Sequence, residues 1–119
     1  PFISLGVTTE ASASLLLPQV VGWQRCAEIL FTEPWIDADQ AVRDGLALRA
    51  VDDDALLAEA EALARRIGAA PVEPITETKR LLLAGRAEAV KAARLRELAA
   101  FERLVGAMMA GGAAEAGPA

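Results

Sequence analysis

Histidine and tyrosine are missing from the 119 residues, and cysteine occurs once, at position 26. Each absence excludes a chemistry. A zinc site of the usual cysteine and histidine kind cannot be assembled from one such side chain. A serine–histidine–aspartate or cysteine–histidine catalytic pair is excluded as well. A disulfide within the chain is impossible, so nothing argues for an oxidising compartment, and the cytoplasm is the expected location. Basic residues are few: 12 Lys and Arg face 17 Asp and Glu, for a net charge of -5. Nucleic-acid binders usually carry a basic footprint, so a nucleic-acid partner is not expected. No apolar run approaches the roughly 20 residues of a membrane span, and no membrane partner is expected. If the protein performs acid–base chemistry, a carboxylate must do it.

Alanine is what the chain has in abundance, and it inflates a hydrophobic content of 54%. The length suits one domain. The first residues show no basic region and no initiator Met, and the chain opens at Pro1 directly on an apolar run. A fragment or a processed product is the expectation.

Residues 2–7 (Phe-Ile-Ser-Leu-Gly-Val) read as a brief strand punctuated by Gly6. Thr8 and Thr9 before Glu10 are a helix-start signal, and Pro18 should end that helix by Leu17. A second helix fits Val20 to Thr32, with Val20, Trp23, Ala27, Leu30 and Phe31 on one apolar face. Asp37 and Gln40 make a capping-box variant that opens a short helix to Asp44, with Gly45 suited to the left-handed position after it. Residues 46–51 read as a second strand. Asp52, Asp53 and Asp54 are expected to start a long helix striped by Leu56, Leu57, Ala60, Leu63, Ala64 and Ile67 and stopped by Gly68, with Glu61 and Arg65 paired on its other face. That acidic run suits a solvated helix start better than a metal site, and no metal is expected. Residues 69–74 read as a linker, Ile75 to Ala84 as a helix closed by Gly85, and Glu88 to Met109 as the last helix. Leu95, Leu98, Phe101, Val105 and Met108 should face one way on it. The tail from Gly111 is expected to fray. Trp23 and Phe31 suit a core, Trp35 a cover over the core or a neighbour, and Cys26 a small buried apolar position. The result is a mainly α chain with one or two short strands. Two short strands alone make a poor sheet, which suggests that partner strands lie elsewhere.

The stretch from Pro1 to Pro18 resembles the crotonase superfamily of enoyl-CoA hydratases and isomerases. The likeness continues through Val21-Gly22, residues 27–32 and 36–41, Gly45-Leu46, residues 49–51 and the segment around Lys79, so nearly the whole chain is covered. It resembles the C-terminal part of the crotonase α/β spiral fold. On that basis residues 1–51 are the end of the crotonase core, 52–110 the C-terminal helical region and 111–119 the tail.

Within the superfamily, typical hydratases place a second catalytic glutamate directly after the proline that matches Pro1. Here Phe2 stands there. The order Pro-Phe-x-x-Leu-Gly-x-x-x-Glu is similar to that of the peroxisomal-type Δ3,Δ2-enoyl-CoA isomerases, whose single catalytic glutamate falls at Glu10. The resemblance therefore implies an acyl-CoA substrate of fatty-acid metabolism and a shift of its double bond from C3 to C2, with Glu10 moving the proton. Moving that bond takes removal of a C2 proton and protonation at C4, which one carboxylate can perform in turn. Hydration is the runner-up, and a non-catalytic helical oligomerisation fragment is the reading from a different class. The resemblance further implies no cofactor beyond the coenzyme A of the substrate. It implies a homo-oligomer, a trimer or hexamer, and an oxyanion hole of backbone N–H groups upstream of Pro1. Phe2, Leu15 and Leu16 would give Glu10 an apolar surround. Phe101 would line an acyl pocket or simply pack, and Lys79 would meet a CoA phosphate or lie on a solvated helix face. Glu10 by itself could equally serve as an acid at a helix N-terminus. Ala11, where the family has glycine, and Ser12 would add bulk near the acyl path.

Overall fold

The computed structural model describes residues 1–115, and side chains through residue 111. Six helices follow one another: α1 Ala13–Val21, α2 Trp23–Thr32, α3 Ala38–Arg43, α4 Leu56–Gly68, α5 Val72–Ala84 and α6 Ala87–Glu115. The mainly α expectation holds. The two short strands do not form among the described residues, because a strand needs a partner ladder and none is within reach. Residues 2–7 instead curl into turns, with Gly6 N donating to Ile3 O at 2.9 Å and Val7 N to Phe2 O at 2.9 Å. Ile3 N donates to Glu33 Oε1 at 2.7 Å, and Ser4 N also reaches that carboxylate. These bonds, with those of Ser4 foremost, hold the Glu33 carboxyl below its usual range. After α3, Leu46 N and Ala47 N both donate to Ala41 O, so residues 46–51 begin as a helix closure.

The first helix departs from its expected bounds at both ends. Thr8 and Thr9 do not cap it. Its start is set by Ser12, at φ 64, and its end by Gly22. Pro18 lies inside α1 instead of ending it. An interior proline removes one hydrogen bond, at a cost of roughly 3 kcal/mol. The packing of α1 against both α2 and α6 overrides that local preference. Gly22, at φ 79 and ψ 160, then splits the expected Val20–Thr32 helix, so Val20 belongs to α1 and α2 begins at Trp23. That backbone region is essentially restricted to glycine.

The Asp37 half of the α3 capping box forms, with Asp37 Oδ1 accepting from Gln40 N at 2.7 Å, and Gly45 has φ 77. The Gln40 side chain does not reach back to Asp37 and instead donates to Asp44 Oδ1 and accepts from Arg43. Arg25 of α2 reaches Asp44 through two bonds of 3.0 and 2.8 Å and so ties α2 to the end of α3. The Asp52–Asp54 run forms turns, and α4 begins only at Leu56. Glu61 and Arg65 pair at 3.0 Å on its outer face. The linker is shorter than expected, since α5 already starts at Val72 behind Pro71. The last helix starts at Ala87 and continues past Met109 and Gly111 to Glu115; the remainder of the tail expected to fray, residues 116–119, lies outside the described residues.

Burial contradicts several expectations. Trp23 and Phe31 are 77% and 72% exposed, not core, and Trp35 is fully exposed. Leu56, Leu57 and Ile67 of the α4 stripe are exposed, as are Leu95, Leu98 and Met108 of α6. The inward face of α6 is rotated from the expected one and carries Val90, Ala93, Glu97, Ala100, Phe101, Leu104 and Val105. Cys26 is buried as expected, and burial pushes its thiol up from the usual value. Apolar side chains buried through and through are limited to Cys26 and Ala93 among the described residues. Amphipathic helices bury their stripes only against a partner surface, and here most stripes meet none.

Candidate active site

The segment from Gly6 to Ser14 runs antiparallel along α6. Gly6, at φ 73, suits a conformation that favours glycine, and a Cβ added there would stand 3.3 Å from the Sδ of the Met108 side chain, which places this turn against α6. Further along, Glu10 and Ala11 share a cavity of about 220 Å³ with Arg94, Glu97, Leu98 and Phe101. At the far end Ser12 Oγ donates to Val90 O at 3.1 Å.

The turn carrying Glu10 has an uncommon backbone. Ala11 and Ser12 are both left-handed, at φ 58 and 64. Each such non-glycine residue costs roughly 1–2 kcal/mol. Glu97 offsets part of that cost. Its Oε2 accepts from Ser12 N at 2.6 Å, and its Oε1 accepts from Ser14 N at 2.8 Å and from the Ser14 hydroxyl. Glu97 is only 5% exposed, and a buried charge requires such partners. Its carboxylate thus sits where the free N–H groups at the start of α1 point, the favourable end of the helix dipole. Glu10 differs: it is exposed, and its carboxylate accepts no hydrogen bond among the described residues. The hydroxyl of Thr9, just before it, is buried without a partner among those residues.

The structure brings together Glu10 and Phe101 but not the whole expected set. Phe2 lines a separate hollow of about 420 Å³ with Ile29, Leu30 and Trp35. Leu15 and Leu16 are half-buried on α1 and are not among the lining of the Glu10 cavity. Lys79 lies on α5 beside Pro74, Ile75, Thr78 and Leu82, apart from Glu10. The apolar wall at Glu10 comes instead from Leu98 and Phe101 of α6. Sequence reasoning missed Glu97 and Arg94. Glu97 could have been found from its place four residues after Ala93 and four before Phe101, a carboxylate embedded in a face of small and apolar side chains.

No family model matches the chain. It is similar to solved and curated proteins, however. A crystal structure of an enoyl-CoA hydratase/isomerase from Pseudoalteromonas atlantica superposes with a TM-score of 0.81 at 32% identity, over 88% of this chain and 42% of that one. The chain carries the C-terminal part of the crotonase fold. A short-chain-enoyl-CoA hydratase of Clostridioides difficile is 37% identical over 67 residues, which is 56% of this chain and 43% of the relative. A 4-chlorobenzoyl coenzyme A dehalogenase of an Arthrobacter species is 33% identical over 70 residues, 59% of this chain and 25% of the relative. The chain therefore spans less than half the length of these proteins. The likeness to the enoyl-CoA hydratase/isomerase family is supported by sequence and by structure together.

Proposed function

We propose that the protein carrying this crotonase-fold chain acts on an enoyl-CoA thioester and moves its double bond from C3 to C2, with Glu10 as base and then acid. The observation that carries this reading is the contrast between the two carboxylates of one cavity. Both oxygens of Glu97 are occupied by donors from Ser12 and Ser14 at the start of α1, whereas the Glu10 carboxylate is unengaged at the rim beside Leu98 and Phe101. One working carboxylate suits proton removal at C2 and return at C4. The enolate formed between these steps needs backbone donors, and by the family resemblance these come from residues upstream of Pro1. Phe101 and Leu98 would lie along the acyl chain. The reading calls for no cofactor besides the substrate's coenzyme A, and for a homo-oligomer in the cytoplasm.

Hydration is favoured by one observation: relatives such as the Clostridioides difficile protein are named hydratases. That reaction uses two carboxylates, and within this chain Glu97 is already committed to α1.

The test is turnover of a 3-enoyl-CoA and of a 2-enoyl-CoA by the natural protein and by Glu10→Gln. The expected outcome is a loss of about 10²–10⁴-fold in isomerisation for Glu10→Gln. Near-full turnover by that variant would remove Glu10 from the mechanism. Water addition to the 2-enoyl-CoA outpacing isomerisation would favour the hydratase reading.

A further inference from the structure

We propose that Glu97, on α6 and more than eighty residues downstream, is a positioning residue for Glu10 and sets where the proton-transferring carboxylate stands. The inference rests on the reading of Glu10 as the proton shuttle. Glu97 does not touch the reacting atoms in this account. It acts through the turn at residues 11–14.

Four features carry it. First, Glu97 is buried, yet no cation bonds to it among the described residues, although Arg94 lines the same cavity. Its three short contacts all go to Ser12 and Ser14. A buried carboxylate whose every contact is spent on one turn is there to hold that turn. Second, the turn has little intrinsic preference for its shape, since Ala11 and Ser12 are left-handed without being glycine. Such a backbone persists only where its surroundings over-determine it. Third, Ser12 Oγ donates to Val90 O, two turns of α6 away from Glu97, so the turn is clasped along the helix as well as across it. Fourth, Glu10 opens the turn, its carbonyl accepting from Ala13 N at 3.0 Å, while its carboxylate has no hydrogen-bond partner among the described residues, so its placement follows from the clasp. Catalysis by proton transfer is sensitive to displacements of about 1 Å.

A purely structural role and a positioning role differ in one measurable quantity. When isomerisation runs in D2O, a well-placed Glu10 returns to C4 the proton it took from C2. A loosened Glu10 holds that proton longer and exchanges it with solvent first. Deuterium per product molecule is a ratio, so an unfolded fraction of enzyme does not change it. For Glu97→Gln in the natural protein we expect kcat to fall about tenfold or more with KM within about twofold. Deuterium per product should rise, and the amides of Ser12 and Ser14 should exchange faster. Glu97→Asp, which keeps the charge, should recover part of each effect. Should Glu97→Gln fail to fold, Ser14→Ala removes one of the three contacts and should raise deuterium per product in the same direction. The inference is overturned if Glu97→Gln, or Ser14→Ala in its place, keeps kcat and deuterium content within about twofold of the natural protein while Glu10→Gln is inactive. That result leaves the proton shuttle standing. Near-full turnover by Glu10→Gln would instead remove the shuttle, and the positioning role with it.

Discussion

At residue 11 two demands meet. The backbone needs a left-handed conformation, at φ 58, just after the candidate base, and the residue supplied is alanine. Glycine adopts this conformation without the Cβ penalty. Ala11→Gly should therefore stabilise the folded natural protein by about 1 kcal/mol, less what the added freedom of the unfolded chain takes back. A denaturant melt of the variant beside the natural protein checks it, and a lower midpoint would show that the turn is not under the tension assigned to it. Glu10 was singled out by the resemblance of the order Pro1, Phe2, Gly6 and Glu10 to a family pattern, and the fold sets that residue exposed beside Leu98 and Phe101. The place of Glu97 within a small and apolar helix face was open to reading, but nothing in the sequence near residue 97 reveals which amides, 85 and 83 positions earlier, its oxygens will meet.

Between elements, the α2–α3 corner depends on Arg25 and Asp44. The guanidinium holds the Asp44 carboxyl below its usual value of 3.8, and the same pair, with Glu28, raises the Arg25 value. The sign of the pH effect follows. A carboxyl whose folded value lies below its unfolded one contributes stability that is present above the unfolded value and is lost as pH falls through the folded value. Thermal stability should therefore drop below about pH 4, near the 3.8 reference, and Asp44→Asn should flatten that part of the profile. Melting temperatures of both proteins across the acid range decide it. Equal slopes would place the acid sensitivity elsewhere. Helix existence was well legible, since Asp37 caps α3 and Gly45 takes the left-handed position after it, both as local signals require, although the Gln40 side chain turns to Asp44 and Arg43 instead of closing the box. Helix limits were less so: Pro18 inside α1 and the break at Gly22 are decided by packing of α1 on α2 and α6, which outweighs a local rule.

The whole molecule is elongated, 68 by 35 by 30 Å, with a radius of gyration of 19.9 Å. A compact domain of this length would have about 13.5 Å. Its accessible surface is 9308 Å², against about 6,200 Å² for a compact monomer of this mass. The difference exceeds the roughly 1,200–2,000 Å² that a stable protein interface buries. Trp23, Phe31, Trp35 and the outer leucines of α4, α5 and α6 lie in that surplus surface. The 119-residue chain expressed alone should therefore associate. Light scattering at high dilution is expected to give a mass above the 12.5 kDa of one chain. A clean monomer that binds no hydrophobic dye would count against it.

The family resemblance singled out Glu10 as the carboxylate to examine, and the sequence by itself determined the mainly helical character, the Asp37 cap of α3, the burial of Cys26 and, within this chain, the exclusion of histidine and zinc chemistry. These follow from composition and from spacings within a few residues, where local sterics and hydrogen bonding dominate. Only the tertiary structure decided which stripes are covered, that residues 2–7 and 46–51 form no strand, and that Glu97 clasps the turn beside Glu10. The reason is the same in each case. A strand, an apolar face and a buried carboxylate are stable only against a particular partner, and the partner's position is set by the packing of elements far apart in the chain.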